Sequence, residues 1–172
     1  CGIILGCIAG LCKDKLPDAI IRVFSSIGIS MPGYVIASGL MIFLAVNLKV
    51  LPVNYNKPGG WVMPMLTLAI YPTSYLTRLT RASILEVMNQ DYLRTERAKG
   101  MSEFVVVFIH ALKNSLIPVI TYLGPLTASI LTGGFVAESV FSVPGLGRYF
   151  VSSISSRDYT MIMGVTVFYS AL

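Results

Sequence analysis

Residues 23–48 run for 26 positions without one charged side chain, and this feature more than any other limits what the chain can fold into. About 20 apolar residues in a helix cross a hydrocarbon core roughly 30 Å thick, so the run is long enough to span a bilayer with some tilt. Two more uncharged runs follow, residues 58–77 and the 24 residues of 114–137. Residues 1–12 and 159–172 are also uncharged but shorter, and predict partial spans. Charged residues make up 12% of the chain, against about 25% in soluble proteins, and the mean hydropathy is +0.75. The pattern excludes a soluble domain. It predicts an all-α, polytopic membrane protein: one transmembrane domain over residues 1–172, with spans at 1–12 (partial), 23–48, 58–77, 114–137 and 159–172 (partial). The chain opens and closes inside apolar runs, with neither an initiating Met nor a signal peptide, so it is expected to be an internal piece of a longer polypeptide, truncated at both ends.

A net charge of +5 would suit nucleic acid if it were clustered on one folded face. Here the charges sit in connections between apolar runs, so the expected surroundings are membrane lipid and not nucleic acid. The four connections carry three, two, six and two Lys or Arg in turn. Alternate connections share a side, giving nine against four, and the positive-inside bias places residues 13–22 and 78–113 in the cytoplasm. Pro32, in Ser30-Met31-Pro32-Gly33, predicts a kink, since proline removes a backbone bond and clashes with the preceding turn. That bend is either a packing feature or part of a pathway wall. Arg78 and Arg81 share a helix face at i, i+3 and are expected to snorkel to one headgroup layer. Cys1, Cys7 and Cys12 match no zinc or redox spacing and are expected to be small buried apolar residues.

The charged segment 89–113 is helix-prone. Asp91 is expected to cap a helix starting at Tyr92, its carboxylate accepting free amides of the first turn. Arg97 and Lys99 then fall near the carbonyl end of the dipole, Gly100 supplies the left-handed residue that stops the helix, and Ser102 caps the next one. A helix about 12 Å long results. Spacing alone also allows an ordinary cytoplasmic connection with helical turns in it.

The run Asn89-Gln90-Asp91-Tyr92-Leu93-Arg94-Thr95-Glu96-Arg97-Ala98-Lys99-Gly100 resembles the cytoplasmic EAA loop of ABC-importer permeases, in the version of the dipeptide/oligopeptide/nickel family. Arg94, Thr95 and Glu96 stand where the general motif has Glu, Ala and Ala, Gly100 is kept, and Lys113 takes the place of the closing proline. The stretch 75–88 and the run Ala137-Glu138-Ser139-Val140-Phe141-Ser142-Val143-Pro144-Gly145-Leu146-Gly147-Arg148 are similar to the same family, so that residues 61–172 carry the likeness and the earlier part fits by pattern. The subtype resembled is the B-type subunit. The resemblance implies a type I importer bundle: a six-span subunit of the bacterial inner membrane, of which this chain holds pieces of spans two to six. It implies partners as well: a second homologous permease, two cytoplasmic ATP-binding subunits and an extracytoplasmic substrate-binding protein. It further implies that Arg94, Thr95, Glu96, Arg97, Ala98, Lys99, Gly100 and Met101 form an ATPase-coupling helix, and that peptides are the cargo.

No Walker loop, Ser/His/Asp set or Cys/His set is present in the sequence, so the chain is expected to be no enzyme and to hold no cofactor or metal. His110 reads as an interfacial contact. Glu138, ending an apolar run, is either satisfied by water or a helix amide, or faces the pathway to meet a peptide amine or the binding protein. Glu86, Asp91 and Glu103 read as solvated partners of nearby arginines. Two rivals remain open: nickel import, which calls for His, Cys or carboxylate ligands facing a pore, and a proton-coupled secondary transporter, which calls for ionisable groups near mid-membrane.

Overall fold

The computed structural model describes residues 1–131 and 133–171; Thr132, in the expected 114–137 span, and Leu172, ending the expected 159–172 span, lie outside the described residues. Among the described residues all regular structure is helical: α1 (Gly2–Leu11), α2 (Leu16–Ser30), α3 (Gly33–Leu40) continued by a π-helical segment (Met41–Asn47), α4 (Val62–Met88) and α5 (Asp91–Ala98). Then come α6 (Glu103–Val105), a second π-helical segment (Val106–Ala111), α7 (Leu112–Ser115), α8 (Ile117–Leu131), α9 (Phe135–Val140), α10 (Leu146–Ser156) and α11 (Tyr159–Ala171). Among the described residues one stretch, Glu103–Val140, is long and apolar enough to cross a membrane, or two if Leu16–Ser30 and Gly33–Asn47 count as one span. In the uncharged part of α4 two hydroxyls bond back to their own helix, Thr67 to the Met63 carbonyl at 2.9 Å and Thr77 to that of Thr73 at 2.7 Å.

The expected kink at Pro32 is a complete break. α2 stops at Ser30 and α3 starts at Gly33, with Pro32 extended between them at φ −59°, ψ 142°; lacking an amide hydrogen, proline cannot carry the bond ladder across.

The chain divides into two compact units. The first holds Cys1–Ser30 and Pro72–Gly124. In it, α1 lays Gly2, Gly6 and Gly10 against α4: a Cβ on Gly6 would stand 2.5 Å from Thr80 Cβ and 2.7 Å from the Thr77 carbonyl oxygen. Small residues every fourth position let two backbones approach this closely, and Thr77 Oγ1 reaches across to the Gly2 carbonyl at 3.2 Å. The cysteines depart from expectation, Cys1 being exposed and Cys7 and Cys12 only half-buried, all three free. The glycines, not the cysteines, occupy the buried face of α1.

Arg81 does not snorkel. Its Nε and Nη2 donate to the two carboxylate oxygens of Asp18 at 2.6 and 2.8 Å, and the Asp18 side chain is fully buried. A carboxylate on α2 offers two charge-assisted bonds at once; Arg78 is exposed and Arg81 half-buried. The Asp14 amide also donates to Asp18 Oδ2 at 3.1 Å. The Arg81 guanidinium, helped by that amide, holds the Asp18 carboxyl at about 2.

The second unit comprises Met31–Tyr71 and the chain from Pro125 on. Its core is Ala37 and Met63 against Ala137 and Phe141, walled by Met41, Leu44, Ala45, Leu51, Val140 and Val143.

Candidate functional site

α5 follows α4 after only two residues, and the joint has no slack. The Asn89 side-chain amide bonds the Leu85 carbonyl at 2.9 Å, and the Gln90 backbone amide bonds that of Val87 at 3.0 Å, so the end of α4 is closed before the chain turns. The helix starts one residue earlier than its sequence predicts: Gln90, at φ −73°, ψ 144°, is the N-cap and makes no side-chain bond. Asp91 is therefore not the cap. It lies in the first turn, where its charge still suits the dipole, and it reaches Arg94 Nη1 at 3.4 Å. Ser102 stands at the N-cap of α6 as expected, without a side-chain bond.

The far end follows the expected chemistry. Gly100 takes φ +84°, its amide bonds the Arg97 carbonyl at 3.0 Å, and the Met101 amide bonds that of Glu96 at 3.4 Å. These two reverse bonds are a Schellman stop. The stop turns Met101 back onto the helix, where it packs with Val87 and Met88 against the fully buried trio Leu93, Val106 and Ala111.

Three polar contacts surround that apolar clamp. Arg97 donates Nε and Nη2 to Glu103 at 3.0 and 2.8 Å, which holds the Glu103 carboxyl below its usual range and the guanidinium above. His110 Nδ1 lies 3.3 Å from Glu96 Oε1. Asn114 Nδ2 donates to the Tyr92 hydroxyl at 2.9 Å. Through these, α5 is fixed to α6, to the π-helical segment and to α7, all leading into α8. Of the eight residues expected to couple, Glu96, Arg97 and Met101 face inward and are half-buried, while Arg94, Thr95, Ala98, Lys99 and Gly100 are exposed. The arrangement is a short helix tied to its neighbours, with Arg94 and Lys99 exposed beside Asp91. Leu93→Ala should cost roughly 2–5 kcal/mol by emptying the clamp, whereas Thr95→Ala on the outer face should stay within about 0.5 kcal/mol. Thermal unfolding of the detergent-solubilised protein checks both, with a clear drop in Tm expected for the first alone.

Glu138 lies elsewhere, in the second unit. Its Oε2 accepts the Arg148 amide at 3.0 Å, so it caps the first turn of α10 across ten residues of chain, with Gly145 and Gly147 leaving room for the carboxylate. Negative charge suits a helix start, and this geometry is that of a carboxylate satisfied by a helix amide. Residue spacing did not single out Asp18 or the glycine face of α1. A recurrence of glycine at every fourth position was the available signal.

Residues 2–172 match the family model described as a binding-protein-dependent transport system inner membrane component. The dipeptide transport system permease protein DppB of Bacillus subtilis is 48% identical over 172 residues, covering 99% of this chain and 56% of that protein. The protein of the same name from Lactococcus lactis is 38% identical over 181 residues, covering 99% of this chain and 58% of that one. The oligopeptide transport system permease protein OppB of Haemophilus influenzae is 36% identical over 179 residues, covering 99% and 57%. The chain thus spans a little over half the length of these curated relatives.

Proposed function

This chain belongs to the family of binding-protein-dependent transport system inner membrane components, and from that we propose that it is a permease subunit of an ATP-driven peptide importer, crossing the bacterial inner membrane several times. It does no covalent chemistry. With a second homologous permease it forms the pathway for di- or oligopeptides, two cytoplasmic ATP-binding subunits hydrolyse ATP, and an extracytoplasmic binding protein delivers the cargo. The observation that carries this reading is the 48% identity to a dipeptide permease across 99% of the chain.

α5 is the coupling helix of this proposal. Its exposed Arg94, Thr95, Ala98 and Lys99 meet an ATPase subunit, while Leu93, Glu96 and Arg97 hold it to the helices on either side. The ties that hold α5 to its neighbours support this role: a contact that both pushes and pulls must shift between discrete positions without yielding. The test is uptake of a labelled dipeptide, a longer peptide and nickel by cells with and without the gene for the full protein, together with purification of the complex. Loss of peptide uptake and recovery of two ATPase chains are expected. Loss of nickel uptake with peptide uptake intact would move the protein to the nickel branch, and purification without ATPases would favour a secondary transporter.

A further inference from the structure

We propose that Asp18 and Arg81 tie the α1–α2 hairpin to α4, so that the hairpin and the coupling helix travel as one body; both are positioning residues. The proposal rests on the importer reading and adds a second arm to its lever. Three kinds of contact join hairpin and helix. Two are made by α1: its glycine face sets how close the backbones come, and its Gly2 carbonyl accepts the Thr77 hydroxyl at 3.2 Å. The ion pair is the directional tie from α2. Arg81 presents two donors, at 2.6 and 2.8 Å, to both oxygens of one carboxylate, and the Asp14 amide donates to Oδ2 of that carboxylate at 3.1 Å.

Energetics favour a directional role over simple stabilisation. A buried ion pair is often no more stabilising than well-packed apolar residues of similar volume, because desolvation offsets the attraction. Its two parallel bonds, by contrast, specify orientation. Of the ion pairs among the described residues, this is the one with a fully buried member. Position fits as well: α4 ends at Met88, about two turns beyond Arg81, and α5 begins after two more residues. Any shift of α5 therefore reaches Arg81 through continuous helix and a closed joint, and the bonded Asp18 carries it to α2.

The test uses the full-length protein with its partner subunits in proteoliposomes, scoring ATP hydrolysed per peptide imported for the wild type, Asp18→Asn and Arg81→Lys. Lysine keeps the charge but cannot make the two-bond fork. The expected result is a rise in the ratio of about tenfold for Asp18→Asn and severalfold for Arg81→Lys, with equal amounts of assembled complex per vesicle. A merely structural role would lower hydrolysis and import together and leave the ratio alone. Ratios equal to wild type overturn the proposal. If Asp18→Asn does not assemble, the Arg81→Lys ratio decides. A wild-type complex that imports no peptide sinks the importer reading itself, which is a separate and distinguishable failure.

Discussion

Gly6→Leu is expected to cut the yield of monodisperse, membrane-extracted protein by roughly tenfold or more, with Gly6→Ala falling in between. The reason is the distance between α1 and α4. Even a lone Cβ on Gly6 would meet the Thr77 carbonyl oxygen at 2.7 Å and Thr80 Cβ at 2.5 Å. The first of these is backbone in mid-helix and cannot rotate away. Leucine must therefore push the helices apart, and separation also lengthens the 3.2 Å bond from Thr77 to the Gly2 carbonyl past hydrogen-bonding range. Overpacking of this kind costs about 1–3 kcal/mol and occasionally more, and each 1.4 kcal/mol is a factor of ten in population. Fluorescence-detected size exclusion of the tagged full-length protein reads the yield. Gly124→Leu is the matched control, because a Cβ there meets nothing within 4 Å. Equal yields for the two leucine variants would show that α1 does not depend on close approach to α4.

Features visible in the sequence and features hidden from it divide along a physical line. Local signals are legible. The short helix expected at residues 92–99 is present at Asp91–Ala98, and the glycine expected to stop it takes φ +84°, because helix length, cationic end and left-handed stop are all written within a dozen residues. The error at Asp91 is also local in kind: Gln90 can adopt the extended N-cap conformation, and a one-residue shift of a helix start costs little. Long-range partners are not legible. Asp18 and Arg81 lie 63 positions apart, so in the sequence one is an acid in a polar connection and the other a helix-face arginine counted for orientation, and they are silent about each other. Gly2, Gly6 and Gly10 read as small residues in an apolar run until α4 is seen across from them. The carboxylate of Glu138 had two readings in sequence, and the 3.0 Å bond from the Arg148 amide is a contact whose geometry depends on how the turn through Gly145 folds. Family likeness proved broader than the residues that suggested it, matching residues 2–172 where residue runs pointed to 61–172.

The second large effect is expected at Gly100, where the consequence is functional and not structural. Gly100→Val should leave insertion and complex assembly unchanged yet reduce peptide uptake by about tenfold or more, while ATP hydrolysis continues. Space is not the obstacle, since a Cβ on Gly100 meets no atom within 4 Å. Conformation is. At φ +84° a β-branched side chain is strained by about 1–3 kcal/mol, and the chain relieves that strain by leaving the left-handed region. Doing so breaks the bonds from the Gly100 and Met101 amides to the Arg97 and Glu96 carbonyls and swings Met101 off Leu93. The outer face of α5 is then still present but no longer held rigidly against the chain leading into α8, so a push on it is absorbed as local bending. Gly100→Asn separates shape from contact, because asparagine tolerates the left-handed region while adding a side chain at the same place. Near-normal uptake by Gly100→Asn beside lost uptake by Gly100→Val assigns the effect to the helix stop. Equal loss in both means that the partner touches Gly100 directly. Normal uptake by Gly100→Val overturns the coupling role of α5, for a rod whose end can be unfastened without consequence transmits nothing.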